Sequence, residues 1–278
     1  MGARLKLEQV KTVLDVGCGI GHWGQLLAPV LHPDTRMIGI DREESHLVRA
    51  SKRATEQGLS HRYSYQPGDA TSLPFPDGTF DMVTCQTVLI HLKDPKLGLR
   101  EMLRVLKPGG ILLAVEPNNF ANHAVFSSIT ERLSVDEVID RLKFDLFIQR
   151  GKKALGLGFN SEGDLVPGYL SELDADDIQV HTSDKASPFF SPYSRPDQQA
   201  NIRQMRDWAK RKFLGWDRDE MEKYFIAGGG GEPDRFEYYW DQRLKNALEV
   251  IKAIDEGTYH SAGGGISYLI SARKKINS

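Results

Sequence analysis

Between residues 12 and 116, short apolar runs rich in β-formers alternate with segments of helical periodicity. Such alternation is typical of βαβ units, which place their strands side by side in a parallel sheet. The pattern therefore predicts an α/β core for this part of the chain. The predicted strands are residues 12–16, 36–40, 62–66, 80–85 and 110–116.

The segments between the strands carry helix signals, and beyond Glu116 the chain becomes mainly helical. The LKPGG motif at 106–110 is a strong helix stop, because proline cannot continue a helix and glycine readily takes positive φ. Helices are predicted at 22–31, 43–57 and 95–106, twice within 119–157, and over 196–256 with a break at 228–231; two further strands are predicted at 178–182 and 266–273. The expected apolar stripes are Val135, Val138, Ile139, Leu142 and Leu146 on one helix, and Phe236, Trp240, Leu244, Ala247, Ile251 and Ile254 on another.

Composition limits the class of protein. The 278 residues are 40% apolar with a formal net charge of −2, which excludes a disordered or coiled-coil chain and argues against a protein that mainly wraps nucleic acid. Cys18 and Cys85 cannot make a disulfide framework. No run approaches the roughly 18 apolar residues of a membrane span, and the N-terminus has no apolar signal core. We therefore expect a soluble, cytoplasmic protein.

The segment VLDVGCGIGHWG (13–24) runs from an apolar strand into a glycine turn that opens a helix. Such a turn brings the backbone close to a ligand and aims helix N–H groups at it. From Gly19 it spells the dinucleotide fingerprint GxGxxG, but from Gly17, where the strand ends, His22 replaces the last glycine. Asp15 stands just before the turn, where a carboxylate repels a pyrophosphate but suits a ligand with ammonium and sulfonium groups.

Two acidic residues follow the next two strands. Asp41 comes after four apolar residues, where an acidic side chain can hold both ribose hydroxyls, although Asp is also favoured at helix N-caps. Asp69, in Gly68-Asp69-Ala70, can accept a hydrogen bond from an adenine amino group or can simply initiate a turn. Their order behind the glycine turn favours an adenosine ligand, and both alternatives stay open.

These elements, with FDMVTCQTVLIHLKDP (80–95) and LREMLRVLKPGGILLAVEP (99–117), resemble the class I S-adenosylmethionine-dependent methyltransferases. The resemblance covers about residues 12–118 and points to the small-molecule branch that includes ubiquinone and menaquinone methyltransferases. It implies a Rossmann-like, doubly wound α/β fold whose sheet has seven strands, the last antiparallel. It also implies S-adenosyl-L-methionine as cofactor and S-adenosyl-L-homocysteine as product, and it leaves the acceptor open.

The resemblance assigns roles to individual residues. Gln86 would contact the methionine amino group through its backbone, and Glu101 and Arg104 match a helix-and-turn signature that we interpret as structural. No metal ligands are expected. The other expected cofactor-binding residues are Asp15, Gly17, Cys18 and Gly19 at the methionine part, Asp41 at the ribose, Arg42 against the adenine, and Asp69 and Ala70 at the adenine edge.

We expect the cofactor-binding core to comprise residues 1–118, completed by about 170–190 and 262–278. The insertions 119–169 and 191–261 are expected to form a helical lid that determines the acceptor. Relatives usually carry one or two helices before the first strand, where only residues 1–11 stand here. Either the insertions supply that cover or the native N-terminus is longer.

Methyl transfer from a sulfonium is an in-line displacement, in which the protein must chiefly align the reacting atoms and exclude water. A general base helps only when the acceptor must lose a proton. His91, five residues past Gln86, is the candidate for that role, and its alternative is a local hydrogen bond near a helix start. The prediction is a methyltransferase that acts on an O, N or C atom of a small molecule.

Three other functions stay open. A nucleic-acid or protein methyltransferase is favoured by the basic run at 203–212, although acidic neighbours offset its charge and no base-amino methyltransferase tetrad follows the fourth strand. A non-catalytic S-adenosylmethionine-binding protein would have a blocked acceptor pocket. In a nicotinamide oxidoreductase, the GxGxxG segment would bind the dinucleotide. Asp15 and the GDA and LKPGG motifs argue against this function. The oligomeric state is not predicted.

Overall fold

The computed structural model describes residues 2–183 and 186–276. The chain divides into two compact units, each with its own hydrophobic core. Unit 1 comprises residues 1–117, 162–183 and 267–278, and unit 2 comprises 118–161 and 184–266. None of the described helices is long and apolar enough to cross a membrane.

Unit 1 contains one seven-stranded sheet in the order β3-β2-β1-β4-β5-β7-β6. Strand β7 runs antiparallel to both of its neighbours, and the other pairs are parallel. The predicted Rossmann-like, doubly wound fold with an antiparallel last strand is thus confirmed. The strands are β1 (Thr12–Val16), β2 (Arg36–Asp41), β3 (Tyr63–Pro67), β4 (Phe80–Gln86), β5 (Leu106–Pro117), β6 (Asp176–Thr182) and β7 (Ser267–Arg273).

Ten helices are described in the two units, together with short 3₁₀ turns at Leu7–Gln9, Leu89–His91, Thr130–Arg132 and Glu162–Asp164. Unit 1 holds α1 (Gly2–Leu5), α2 (His22–Leu26), α3 (Glu44–Glu56), α4 (Pro95–Val105) and α7 (Val166–Glu172). Unit 2 holds α5 (Asn119–Asn122), α6 (Val135–Ala154), α8 (Pro196–Arg211), α9 (Arg218–Ala227) and α10 (Pro233–Asp255).

Helix α4 shows how local sequence sets an element. The Asp94 side chain caps it by accepting a hydrogen bond from the Leu97 N–H at 3.1 Å. Near its end, Arg104 donates to both carboxylate oxygens of Glu101 and to the carbonyl of Leu73. These bonds tie the helix to the loop before β4, in agreement with the structural interpretation of Glu101 and Arg104.

The core of unit 2 is aromatic. Helices α6, α9 and α10 pack around Phe144, Phe225 and Phe236, all three fully buried. Helices α6 and α9 cross closely, because glycines stand at the crossing: Gly151 in α6 and Gly228 directly after α9. A Cβ at Gly151 would overlap the carbonyl oxygen of Tyr224. The apolar face predicted for α10 agrees with the burial of Phe236, Trp240 and Ile254.

The stripe predicted for α6 is only partly correct, since Val138, Leu142 and Leu146 are half-buried and the other two members are not. Val135 and Ile139 are exposed, by 74% and 41%, whereas Phe144 and Ile148 are buried. The helix buries a second, polar face, on which Gln149 and Lys152 are hydrogen-bonded to the segment that follows the helix. Charged and amide side chains therefore occupy buried positions that the apolar periodicity does not mark.

Other predicted boundaries also differ. The second insertion spans 184–266 instead of 191–261. The first insertion ends at 161 instead of 169, because Val166 and Leu170 of α7 pack into the core of unit 1. Helix α2 ends at Leu26 instead of residue 31, because the N–H groups of Ala28 and Val30 bond to carbonyls three residues earlier, in turns.

Replacing Gly151 by alanine should destabilise the protein, because the new Cβ would overlap backbone of the facing helix. Overpacking of this kind costs about 1–3 kcal/mol of unfolding free energy. Gly168→Ala is the matched control: Gly168 is also helical, and a Cβ there meets no atom within 4 Å, so alanine should be neutral or slightly stabilising. Urea denaturation measures both variants, and equal changes would contradict the close crossing.

Candidate functional site

A glycine loop, residues 17–21, follows β1 in unit 1. Gly17, Gly19 and Gly21 all have positive φ, of 63°, 51° and 76°. Residues that carry a side chain rarely adopt such angles. The Cys18 N–H donates to the Ile40 carbonyl at 2.8 Å, which fastens the loop to β2. The loop therefore sits at the carboxyl end of two neighbouring strands, where open α/β sheets bind ligands.

The glycines of this segment serve different purposes. A Cβ at Gly17 would lie 2.6 Å from Val88 Cγ2, and one at Gly24 would lie 2.7 Å from Asp15 Oδ2, so both positions need glycine for packing. A Cβ at Gly19 would meet no atom within 4 Å. Gly19 thus borders open space, and its missing side chain leaves that space to a ligand.

The carboxylate of Asp15 lies beneath the glycine loop and is only 1% exposed. Its Oδ2 accepts a hydrogen bond from the Gly24 N–H at 3.2 Å, while Oδ1 has no hydrogen-bond partner in the described part of the chain. Burial raises the pKa of Asp15 to about 7, with a further contribution from the negative charge of Asp41. An unpaired buried carboxylate is unfavourable, and a cationic ligand would compensate it. This residue set fits a ligand with ammonium and sulfonium groups.

Asp41 fastens the glycine loop to the start of α3. Its Oδ2 accepts from the Gly19 N–H at 2.8 Å, and its Oδ1 accepts from the Glu43 N–H at 2.9 Å. The N-cap residue of α3 is Glu43. The alternative prediction, that Asp41 is the N-cap of this helix, is therefore wrong. His46 Nδ1 also lies 3.3 Å from Oδ1 of Asp41. A carboxylate offers about four acceptor sites, so these three contacts leave capacity for a further hydroxyl donor.

Asp69 initiates a turn. Its Oδ1 accepts from both the N–H and the hydroxyl of Thr71 at 2.7 Å, and these bonds hold the pKa of the Asp69 carboxyl below its usual value. The charge of Arg42 lowers it further, so Arg42 lies near Asp69. Ala70 is buried, and the Gly68 N–H donates to the carbonyl of Asp41. The role of Asp69 at an adenine stays a prediction.

Glu116 holds the segment that follows β4. It is fully buried, and its Oε1 accepts from the N–H groups of Val88 and Leu89 at 2.9 and 3.0 Å. Burial raises the pKa of Glu116 to about 7. This segment begins at Gln86, the half-buried last residue of β4, and ends at the exposed His91. Because Val88 packs on Gly17, Glu116 also supports the glycine loop.

A polar network under the loop was not predicted. The side-chain amide nitrogen of Gln25 donates to the hydroxyl of Tyr65 at 2.9 Å and to the carbonyl of Ala50 at 3.1 Å. Arg53 donates to the side-chain oxygen of Gln25. A Cβ at Gly21 would lie 2.7 Å from that amide nitrogen. The network joins α2, α3 and β3, and no spacing in the sequence marks it, since its members lie 25–40 residues apart.

The cysteines and the metal-binding residue types add no reactive centre to this site. Burial raises the pKa of the Cys18 thiol, as it does for Cys85, so both stay protonated and unreactive. Across the residues that the structure describes, no group of three or more His, Cys, Asp or Glu side chains is arranged to hold a metal ion.

A family model described as a methyltransferase domain matches residues 7–155, more than half of the chain. The chain belongs to this methyltransferase family. The matched residues include all of β1 to β5, the glycine loop and Asp41, Asp69 and Glu116. The part of unit 2 beyond residue 155 lies outside the match.

Named relatives match part of this methyltransferase chain. Demethylmenaquinone methyltransferase of Listeria monocytogenes is 38% identical over 112 residues, 40% of this chain and 47% of that protein. Norajmaline N-methyltransferase of Rauvolfia serpentina is 30% identical over 186 residues, 66% of this chain and 59% of that protein. The chain thus spans about half the length of these curated relatives.

Solved structures share the fold of this methyltransferase over its whole length. The crystal structure of YcgJ from Bacillus subtilis superposes with a TM-score of 0.55 at 21% identity, and it covers 99% of this chain and 98% of its own. A putative methyltransferase from Bacillus halodurans gives a TM-score of 0.54. At this identity the likeness establishes the fold alone.

Asp15 should make stability depend on pH. Because its pKa is about 7 in the folded chain against an ordinary 3.8, the folded chain binds more protons between those values. The free energy of unfolding should therefore fall as the pH rises from about 4 to 7. Asp15→Asn removes this contribution, which is at most about 1.4 kcal/mol per pH unit. Urea denaturation across pH 4–8 measures it, and identical slopes in both proteins would contradict the shift.

Glu116, whose pKa is raised in the same direction, contributes a slope of the same sign. The comparison of wild type with Asp15→Asn isolates Asp15, because Glu116 is present in both proteins. Glu116→Gln, measured in parallel, separates the second carboxylate.

Proposed function

We propose that this protein is an S-adenosyl-L-methionine-dependent methyltransferase that moves a methyl group to an O, N or C atom of a small molecule. One observation carries the proposal: Asp15 is buried with Oδ1 unpartnered beneath a glycine loop whose Gly19 borders open space. When bound, the cofactor supplies an activated methyl group on a sulfonium and leaves as S-adenosyl-L-homocysteine. The positive charges of the cofactor would compensate the buried carboxylate of Asp15. Membership of the methyltransferase family supports the same cofactor.

The proposed cofactor residues lie at one edge of the sheet. Gly17 directly follows β1, Asp41 ends β2, Asp69 follows β3 and Gln86 ends β4. Because the carboxyl ends of parallel strands meet at the same edge, this placement supports a shared site. In this proposal Asp15, Gly17, Cys18 and Gly19 hold the methionine part, Asp41 and Arg42 the ribose and adenine, Asp69 and Ala70 the adenine edge, and Gln86 the amino group.

Alignment is the main task of the protein in this reaction. Well-oriented approach of the reacting atoms is worth roughly 7–11 kcal/mol of barrier. The glycine loop, fixed by Asp41 on one side and by Val88 on the other, gives a rigid base for that alignment. Glu116 fixes Val88 in turn, through its backbone N–H. These positions therefore act by holding geometry, without a covalent step.

The small-molecule acceptor rests on the names of two relatives and on charge. The matched proteins are named for demethylmenaquinone and norajmaline, both small molecules. A nucleic-acid acceptor has less support, because in the basic run Arg206 and Arg211 are paired with Asp255 and Asp207. We keep as part of this proposal that unit 2 selects the acceptor and serves as the predicted substrate lid.

We also propose a cytoplasmic setting. Cys18 and Cys85 are both free and buried, as expected of a protein that folds in a reducing compartment.

Gly19→Ala should weaken binding of S-adenosyl-L-homocysteine at least about tenfold, because a Cβ there projects into the space left for the ligand. Calorimetric titration of the full chain measures this, with S-adenosyl-L-methionine and NAD as parallel ligands. Gly78→Ala is the matched control, since Gly78 also has positive φ and open surroundings, at φ 65°. The control should bind like wild type.

Equal loss of affinity in the two glycine variants would mean that backbone strain, not ligand space, is responsible. Wild type that binds NAD and neither sulfur ligand would overturn the methyltransferase proposal and favour an oxidoreductase.

His91 stays the proposed proton acceptor, supported by its exposed place on the turn after β4. The test needs an acceptor, found by screening, whose nucleophilic atom must lose a proton during methyl transfer. With that acceptor, His91→Gln should lower kcat about 10²–10⁴-fold and leave the affinity for S-adenosyl-L-homocysteine unchanged. His61→Gln, at another exposed histidine, is the control and should retain full kcat. An unchanged kcat in His91→Gln would remove His91 from this role.

A further inference from the structure

Unit 2 contains a cluster of cations around one buried carboxylate. Asp145 of α6 is 6% exposed. Arg243 Nη2 of α10 lies 3.5 Å from its Oδ1, and His123 Nδ1 lies 3.0 Å from its Oδ2. Each oxygen of Asp145 thus has a basic side chain within ion-pair distance, although Oδ2 has no hydrogen-bond partner among the described residues. The contact with Arg243 is longer than the 2.7–2.9 Å of a tight charge-assisted hydrogen bond.

Arg141 lies one turn before Asp145 on α6 and takes no part in these contacts. Among the described residues it has no hydrogen-bond or ion-pair partner within bonding distance, although its side chain is half-buried. Burial lowers the pKa of Arg141 to about 10, and the positive charge of Arg243 lowers it further, so the two guanidinium groups repel each other. The negative charge of Asp145 acts in the opposite direction and offsets part of this effect. A partly desolvated cation beside a like charge is unfavourable until an anion joins it.

Both arginines line one pocket between α6 and α10. Leu133, half-buried, and Tyr238, which is 52% exposed, contribute apolar surface to the same pocket. Three acidic side chains also line it. Glu137 and Glu249 are exposed to solvent, and Asp140 accepts from the hydroxyl of Tyr238 and pairs with Lys143. Because Arg141 and Arg243 are the less solvated charges, they dominate the electrostatics of the pocket interior.

We propose that this pocket of unit 2 binds the carboxylate of a small apolar acid between Arg141 and Arg243, with its apolar part against Leu133 and Tyr238. The guanidinium fork matches a carboxylate in geometry and charge, and two such groups can hold both of its oxygens. Binding relieves the repulsion between the two cations. The binding step does not depend on methyl transfer; that the acid is the methyl acceptor is a further step, which rests on the proposed function.

The test uses the full chain with benzoate as probe, benzamide as its uncharged counterpart and inorganic phosphate as a second anion. Calorimetric titration should detect benzoate and not benzamide. Arg141→Gln should weaken benzoate binding about tenfold to a hundredfold, since charged hydrogen bonds are lost. Arg203→Gln, at an exposed arginine of α8, is the matched control and should bind benzoate as wild type does.

Thermal unfolding adds a readout that a structural arginine would not give. Arg141→Gln should be at least as stable as wild type without ligand, because it removes a repelled cation and leaves no partner unpaired. Arg243→Gln removes a partner of Asp145 and should be less stable. If it does not fold, Arg141→Gln alone decides the question.

Wild type that ignores benzoate, or binds phosphate in its place, would overturn the proposal. So would an Arg141→Gln variant that binds benzoate with wild-type affinity or is destabilised. S-adenosyl-L-homocysteine is titrated into the same samples, so failure of the cofactor proposal is seen separately from failure of this one.

Discussion

A buried carboxylate at the end of β1 is the constraint on which the rest of the candidate site depends. Asp15 can be accommodated there only because Gly24 brings its backbone N–H to the carboxylate and has no side chain to collide with it. That close approach fixes where α2 begins, and with it the course of the glycine loop. The carboxylate oxygen that is left without a partner is unfavourable for folding alone.

Two other carboxylates extend this rigidity. Asp41 bonds the loop to the beginning of α3, and Glu116 bonds the segment after β4 through two backbone N–H groups. In each case an acidic side chain at a strand end satisfies amides of a neighbouring loop that have no partner in the sheet. The site is thus assembled from the ends of different strands, and the parallel sheet supplies their common edge.

Much of unit 1 could be predicted from the sequence, because its elements follow local rules. The apolar runs, the stop at LKPGG and the cap at Asp94 each act within a few residues. The stripe of α6 could not, because Gln149 and Lys152 are buried through partners that only the tertiary structure supplies. The same holds for Glu116, which bonds to residues 27–28 positions away. The sequence marks which residues are acidic and where strands end, and it does not mark which loop a carboxylate will hold.

The position of β7 has a consequence for synthesis of the chain. This strand lies between β5 and β6 and supplies every sheet partner that β6 has. On the ribosome, β5 therefore emerges with one open edge and β6 with two, and both strands stay without β7 while the whole of 184–266 is translated. Unpaired strand edges are the surfaces through which nascent chains associate wrongly. The unfinished sheet therefore stays open to other chains until β7 has been made.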